Sequence, residues 1–270
     1  MCLISFALNP SPSFRFVLAA NRDEYYDRPT APLAWWQQSN IVGGRDLRAG
    51  GSWMAMSPRG RFAAVTNFRV RNSPVDPQVK SRGDLVLRVL SQESNDIAIT
   101  NHLAEVGPCN LVWGDLCAGG ALRFNNNQAS HSASSMMPQS LQHGRIYGLS
   151  NGELDADWPK TTGLKISVSE ALAGYVNDQQ GLVNNLFAAL ADDDEAPDFR
   201  LPATGVSIEF ERVLSARFIA TPTYGTRSST VILVDDLLCA KVFERTWDHA
   251  ARALGKIAPY TERMVQFQID

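Results

Sequence analysis

Short apolar runs of strand length, separated by clusters of Gly, Pro, Asn and Ser, are the feature that most restricts the fold of this chain. Residues 2–8 and 14–20 are two such runs, and the turn formers between them predict a β-hairpin. Residues 52–56 and 61–67 predict a second hairpin, because a Pro and a Gly lie in the link between them. The chain therefore begins directly in antiparallel sheet.

The rest of the chain alternates predicted helices with predicted strands. Apolar residues at a spacing of three to four predict helices at 81–90, 95–106, 160–175 and 181–191. Strands are predicted at 110–115, 121–125, 145–151, 229–234 and 238–243, a loop at 126–140, and turns at the glycine pairs 43–44 and 50–51. This order predicts an α+β fold: a four-layer αββα sandwich of antiparallel sheets in one domain, residues 1–270. A two-layer α+β domain is the alternative.

Composition excludes several classes of function. The 270 residues include 25 Lys and Arg against 28 Asp and Glu, so the net charge of -3 excludes a broadly basic nucleic-acid-binding protein. No stretch approaches the roughly 18 uncharged apolar residues of a membrane span, so we expect no integral membrane association. The start of the chain lacks the features of a secretory signal, which predicts a cytoplasmic location. The four cysteines show no metal-ligand spacing, so no metal site is predicted.

Cys2 is the first candidate for chemistry. Removal of Met1 would give Cys2 a free α-amino group with a pKa of about 7.7–8.0, which can act as the base for the thiol of the same residue. A small apolar residue opening a core strand is the alternative interpretation. The predicted hairpin would bring the tetrad at 21–24, at the end of the second strand, next to Cys2.

The tetrad consists of Asn21, Arg22, Asp23 and Glu24. A carboxylate beside Cys2 would hold the α-ammonium group or orient the thiol, and Arg22 would lower the pKa of the thiol or bind an acidic substrate. Asn21, Arg22 and Glu24 are therefore the predicted substrate-binding residues. A charged turn that ends a hairpin is the alternative interpretation.

The tetrad resembles the motif that gives the NRDE family, also called the transport and Golgi organisation protein 2 family, its name. Further segments resemble blocks of that family in the same order: GGRDL at 43–47, GGSW at 50–53, RGRFAAVTN at 59–67, SRG at 81–83, NLVWGD at 110–115, GLSN at 148–151, WPK at 158–160 and RSST at 227–230. The resemblance covers essentially the whole chain. It implies a link to haem trafficking or to lipid and acyl-thioester metabolism, without an agreed chemistry.

The chain is also similar, more distantly, to N-terminal-nucleophile hydrolases of the penicillin V acylase and bile salt hydrolase type. This resemblance implies acyl transfer from a small amide or thioester, with Cys2 as nucleophile and Asp23 tuning it. It also implies that Asn67 contacts the substrate or intermediate, that Asn151 donates to the oxyanion, and that Arg227 supports the cysteine. No cofactor is expected on this hypothesis.

A non-catalytic carrier of haem or another flat apolar metabolite, using the same pocket, is the second hypothesis. The histidines are His102, His131, His143 and His249, and they show no paired spacing. Such a carrier would therefore bind haem without a strong axial ligand.

Overall fold

The computed structural model describes residues 2–70, 80–91, 95–128, 137–251 and 259–270. In chain order the strands are β1 (Cys2–Ser11), β2 (Phe14–Tyr25), β3 (Thr30–Trp36), β4 (Ile41–Asp46), β5 (Met54–Met56), β6 (Arg61–Asn67), β7 (Cys109–Asp115), β8 (Leu122–Asn126), β9 (Gln139–Ser140), β10 (Ile146–Leu149), β11 (Tyr224–Asp235), β12 (Cys239–Trp247) and β13 (Tyr260–Gln268). The α-helices are α1 (Arg82–Leu90), α2 (Asp96–Leu103), α3 (Pro159–Ala173), α4 (Gln179–Leu190) and α5 (Ile208–Ser215).

The strands form two antiparallel sheets. The first sheet has six strands in the order β10-β1-β2-β11-β12-β13, and the second has seven in the order β3-β4-β5-β6-β7-β8-β9. The second sheet follows the order of the sequence throughout. In the first sheet, β11 pairs with β2 from the far end of the chain, so β2 is a central strand.

The inner faces of the two sheets pack against each other. Buried side chains that alternate along β1 and β2, such as Phe6 and Phe16, meet side chains of the second sheet, such as Phe62 and Val112. The Phe16 and Phe62 rings, one from each sheet, lie 5.1 Å apart between centroids. Alternation of this kind is what a strand needs when each of its two faces is buried against a different layer.

Helices cover both outer faces. The opposite faces of β1 and β2, including Leu3 and Val17, pack under α3 and α4. Leu85 and Val89 of α1, together with residues of α2, cover the outer face of the second sheet. The structure therefore confirms the α+β class and the four-layer αββα sandwich. No helix within the described residues is both long and apolar enough to cross a membrane.

Both predicted hairpins and all four predicted helices are present, but some strands were not predicted from the sequence. The turn predicted at 43–44 is wrong, because Gly43 and Gly44 lie inside β4. A Cβ atom at Gly43 would lie 2.8 Å from the Cβ atom of Ala55 on the neighbouring strand, so glycine is required there for close packing. Strands β3 and β13 and helix α5 were also not predicted. The loop predicted at 126–140 lies partly outside the described residues.

Candidate functional site

The register of the first hairpin brings the start of β1 to the end of β2. Cys2 pairs with Arg22, and Leu3 pairs with Asn21. Asp23 and Glu24 continue β2 beyond the start of β1 and pair instead with Thr226 and Gly225 of β11. The tetrad therefore lies beside Cys2, as the hairpin predicts.

A cleft of about 910 Å³ opens at this corner of the sandwich. Both sheets contribute to its wall: Cys2 and Arg22 from the first sheet, and Val65 and Asn67 from the second. Aromatic and apolar side chains line one part of it, among them Trp53 and Phe68. The volume is sufficient for a small metabolite.

Cys2 is the candidate nucleophile at the cleft wall. It is 8% exposed, and its carbonyl accepts a hydrogen bond from Ser150 Oγ at 3.0 Å. Burial raises the pKa of the Cys2 thiol, and the charge of Asp23 raises it further, whereas the charge of Arg22 lowers it. The thiol is therefore protonated at neutral pH unless a base removes its proton.

Arg22 is the guanidinium group next to Cys2. It is 5% exposed, and it lies over the ring of Trp53 at 4.2 Å from the centroid. Its Nη1 donates to Thr30 Oγ1 at 3.1 Å, and its Nη2 lies 3.7 Å from Asp46 Oδ2. The Trp53 ring and these two polar partners hold the guanidinium in place.

Asp23 is the buried carboxyl group of the site. Thr226 Oγ1 donates to Asp23 Oδ1 at 2.8 Å. Burial raises the pKa of Asp23, while the charge of Lys160 and the hydrogen bond from Thr226 act in the opposite direction. Asp23 is 1% exposed and is among the residues that line the cleft.

Asn151, which comes from the first sheet, and Asn67, which ends β6 of the second sheet, meet at the wall of the cleft. Asn151 follows β10, and its Nδ2 donates one hydrogen bond to the carbonyl of Asn67 at 2.9 Å. Its Oδ1 accepts from Ser150 Oγ at 3.3 Å. Asn151 is 0% exposed, and the described residues supply an acceptor for one of the two hydrogens of its amide nitrogen.

Two predicted site residues, Asn21 and Arg227, do not line the cleft. Both N–H groups of the Asn21 amide are used inside the protein, since they donate to the carbonyls of Leu190 at 2.8 Å and Arg217 at 2.7 Å. Asn21 and Arg22 are neighbours on a strand, so their side chains point to opposite faces. The prediction that Asn21 binds substrate is therefore not supported: its amide anchors β2 to the helix layer. Glu24 does line the cleft, where its Oε2 lies 3.8 Å from Arg28 Nε.

Arg227 is not among the residues that line the cleft. It lies where the pairing of β11 with β2 shifts register, between Thr226 and Ser228. Its Nη1 donates to the carbonyls of Tyr25 at 2.8 Å and Arg28 at 3.0 Å. The guanidinium group beside Cys2 is that of Arg22.

Lys160 and Tyr224 are two buried polar residues near the site that the sequence analysis did not propose. Lys160 lies in the first turn of α3, which begins at Pro159, and Tyr224 begins β11. The charges of Asp23 and Cys2 act on both side chains. The WPK block at 158–160 was the sequence signal for Lys160.

Cationic side chains outnumber anionic ones in the lining of the cleft. Six of its side chains are cationic and three are anionic: Arg22, Arg28, Arg48, Arg69, Lys80 and Arg82 against Asp23, Glu24 and Asp46. Five of the six cations have a carboxylate partner, and three of these partners, Asp27, Glu105 and Glu211, lie outside the lining. Arg82 donates its Nε to the Pro108 carbonyl at 3.0 Å, and no described carboxylate pairs with it. Arg82 is therefore the cation of the cleft best placed to bind an anion.

The family follows from comparison with known proteins. Residues 1–249 match the family model described as Transport and Golgi organisation 2. The chain belongs to this family. The Transport and Golgi organization protein 2 homolog of Bos taurus is 31% identical over 255 residues, covering 87% of this chain and 89% of that protein. The homolog of Homo sapiens is 31% identical over 257 residues, with the same coverage of 87% and 89%.

Two solved structures are also similar to this chain. The N-acylethanolamine-hydrolyzing acid amidase ortholog of Caenorhabditis elegans has a TM-score of 0.44 and 12% identity, covering 86% of this chain and 92% of that one. The C2A mutant of conjugated bile acid hydrolase from Clostridium perfringens has a TM-score of 0.42 and 11% identity, covering 100% and 97%.

Proposed function

We propose that this protein is an N-terminal-cysteine hydrolase or acyltransferase that acts on a small amide or thioester through Cys2. The observation that supports it is the juxtaposition of the Cys2 thiol with Arg22 and Asp23 at the wall of an open cleft. Asn151 lies on the same cleft with one amide N–H available. A nucleophile, charged groups that tune it and a donor for an oxyanion are the parts that acyl transfer requires.

The first half-reaction forms an acyl-enzyme. Once Met1 is removed, the α-amine of Cys2 accepts the thiol proton, and the sulfur attacks the carbonyl carbon. The carbonyl oxygen takes the electron pair, and Asn151 Nδ2 and the Asn67 amide donate hydrogen bonds to it. When the carbonyl re-forms, the carbon–nitrogen or carbon–sulfur bond breaks, and the leaving group takes the proton from the α-ammonium. Asp23 holds the α-ammonium while it carries that proton.

The second half-reaction releases the acyl group. The neutral α-amine takes a proton from water or from an acceptor nucleophile, which attacks the thioester at Cys2. The second tetrahedral intermediate uses the same Asn151 donor. Collapse expels the Cys2 thiolate, which recovers the proton from the α-ammonium, so the site returns to its starting state.

The charge of the cleft indicates the class of substrate. Arg82 is the one cation of the described cleft lining that no described carboxylate pairs with. An acyl donor with a carboxylate or phosphate remote from the scissile bond would pair with Arg82. The aromatic wall at Trp53 and Phe68 would contact an apolar part of the same molecule.

The experiment tests the free terminus and turnover together. Intact mass should show loss of one methionine, and 2-cyanobenzothiazole, which condenses with the 1,2-aminothiol of a terminal cysteine, should label the native protein. A panel of aryl thioesters with and without a carboxylate should show turnover, with the anionic members preferred. Cys2→Ser should lower turnover by at least about 100-fold while keeping the fold, because the substitution changes little volume.

Cys239→Ser is the matched control, because Cys239 is on β12 and does not line the cleft. Its turnover should equal that of the native chain. Retention of Met1 on active protein, or equal turnover by Cys2→Ser, would contradict the enzyme proposal. Binding of a ligand without turnover would contradict the enzyme proposal and favour the non-catalytic carrier.

Haem itself fits the cleft poorly. None of the described residues that line it is a histidine or a methionine, and the described chain shows no cluster of metal-ligating side chains. His102, His143 and His249 bond elsewhere, and His131 lies outside the described residues. An axial bond from the cleft would have to come from Cys2, Tyr25 or a carboxylate.

A further inference from the structure

Lys160 is a buried cation with no partner in the described chain. It is 3% exposed, and its Nζ has no hydrogen-bond acceptor among the described residues. Lysine is almost never fully buried unless it is paired. Such an ammonium group therefore calls for a compensating charge nearby.

Four ionisable groups from four parts of the fold act on Lys160: Asp23 on β2, Cys2 on β1, Arg69 after β6 and Glu211 on α5. Arg69 and Glu211 are already paired at 3.1 Å, so they largely neutralise each other. Asp23 and Cys2 remain as the groups whose charge Lys160 can balance.

These two groups are also the ones that burial pushes toward their neutral forms. Burial raises the pKa of Asp23 and of Cys2, and it lowers the pKa of Lys160 to about 8, against the opposing charge of Asp23. The phenol of Tyr224 faces the same two groups, and burial raises its pKa well above the ordinary value, so it stays neutral. The charges of Arg22 and Glu24 also act on Cys2.

We propose that Lys160 is a positioning residue of the Cys2 site: its ammonium group holds Asp23 as a carboxylate and stabilises the thiolate form of Cys2. The inference rests on the proposed function, because it assigns Lys160 a role in preparing that nucleophile. Asp23 is ionised to hold the α-ammonium, and that negative charge by itself opposes the Cys2 thiolate. A second cation on the helix side of the site, opposite Arg22, offsets this repulsion.

The test is the pH dependence of Cys2 alkylation by iodoacetamide, followed by mass spectrometry of the peptide that contains Cys2. The sulfur–carbon bond forms from the thiolate and iodide leaves, so the rate reports the thiolate fraction without any substrate. The native chain is compared with Lys160→Met, Asp23→Asn and the double variant. The double variant removes both buried charges, so it does not leave one uncompensated if Lys160→Met alone fails to fold.

Rates are compared at about pH 6, because the pKa of Lys160 is about 8 and falls further without the charge of Asp23, so that Lys160 is a cation only below that pKa. In the Asp23→Asn background, Lys160→Met should lower the alkylation rate about tenfold, whereas Asp23→Asn alone should raise it. With Asp23 present, Lys160→Met should cause a smaller fall in rate, because Asp23 takes up a proton and thereby offsets part of the loss. These opposite and non-additive changes in rate are not expected of a lysine that only fills space.

Lys165→Met on the same helix is the matched control, because Lys165 binds Asp155 at 2.7 Å instead of facing the site. An unchanged alkylation rate at about pH 6 for Lys160→Met in the Asp23→Asn background, or a rate equal to the control's, would overturn the inference. Because alkylation requires no turnover, failure of this test is distinct from failure of the Cys2→Ser test of the proposed function.

Discussion

At the scale of single residues, the hydroxyl of Thr226 connects the site to the loop before β11. Thr226 Oγ1 donates to Asp23 Oδ1 at 2.8 Å and accepts from the backbone N–H of Ile219 at 2.9 Å. Both bonds are buried, so water does not replace them when they are lost. The hydroxyl therefore lowers the pKa of Asp23 and supports the fold locally.

Thr226→Val should lower the free energy of unfolding by about 1–3 kcal/mol, because the buried Ile219 N–H loses its acceptor. It should also raise the pKa of Asp23 further. Urea denaturation of the variant against the native chain measures the first effect. Thr226→Ser keeps the hydroxyl and is the control; a loss in Thr226→Val no larger than the loss in Thr226→Ser would contradict the assignment of this stability to the hydrogen bonds.

At the scale of elements, the connection between β10 and α3 carries Asn151 and leads to Lys160 in the first turn of α3, and Asp155 holds this connection. Asp155 accepts from Lys165 Nζ at 2.7 Å, from Arg145 Nη2 at 2.7 Å and from the Gly148 N–H at 2.9 Å. Burial by itself would raise the pKa of Asp155, but these donors outweigh it and hold the pKa below the ordinary value. A carboxylate with three donors thus fixes the connection next to the site.

Asp155→Asn should lower the free energy of unfolding by about 1 kcal/mol at neutral pH. The native pKa is depressed, so this stability is present above the unfolded-state pKa and is lost as the pH falls through the folded-state pKa. Asp155 has a φ of 60°, which Asn tolerates, so the substitution mainly changes the charge.

Denaturation at neutral and at acid pH checks this prediction. Asp236→Asn is the control, because Asp236 is an exposed residue of the turn between β11 and β12. A loss in Asp155→Asn that persists unchanged below the folded-state pKa would contradict the electrostatic explanation.

At the scale of the whole molecule, the contact between the two sheets decides whether a cleft exists. Cys2 and Arg22 come from one sheet, while Val65 and Asn67 come from the other. Phe62 packs against Phe16 across the interface between them. The geometry of the site therefore depends on a core that lies away from it.

Phe62→Ala should lower the free energy of unfolding by about 3–5 kcal/mol, because it leaves a cavity between the sheets. Urea denaturation measures the change. Ile97→Ala, at a side chain that is 72% exposed, should change stability by less than about 0.5 kcal/mol. Similar losses in the two variants would show that the interface between the sheets does not dominate stability.

The sequence by itself determined the elements whose signals are local. The first hairpin and the position of the tetrad beside Cys2 follow from alternating apolar residues and one short turn, because neighbouring strands of a hairpin must pair. The start of α1 is local in the same way, since the Ser81 side chain accepts from the Gly83 N–H. The four-layer arrangement could be predicted from the sequence, because each group of predicted helices must pack against the face of a sheet.

The tertiary structure alone decided which polar groups meet. Arg227 lies at a register shift that exists only once β11 pairs with β2, and its guanidinium bonds to the Tyr25 and Arg28 carbonyls. Strand β4 accepts two glycines because its neighbours approach closely. Lys160 and Asp23 are 137 positions apart in the sequence, yet the charge of each acts on the other in the folded chain. Pairing between distant strands sets their register, and burial changes the pKa values of ionisable side chains. Neither effect can be read from a short segment of sequence.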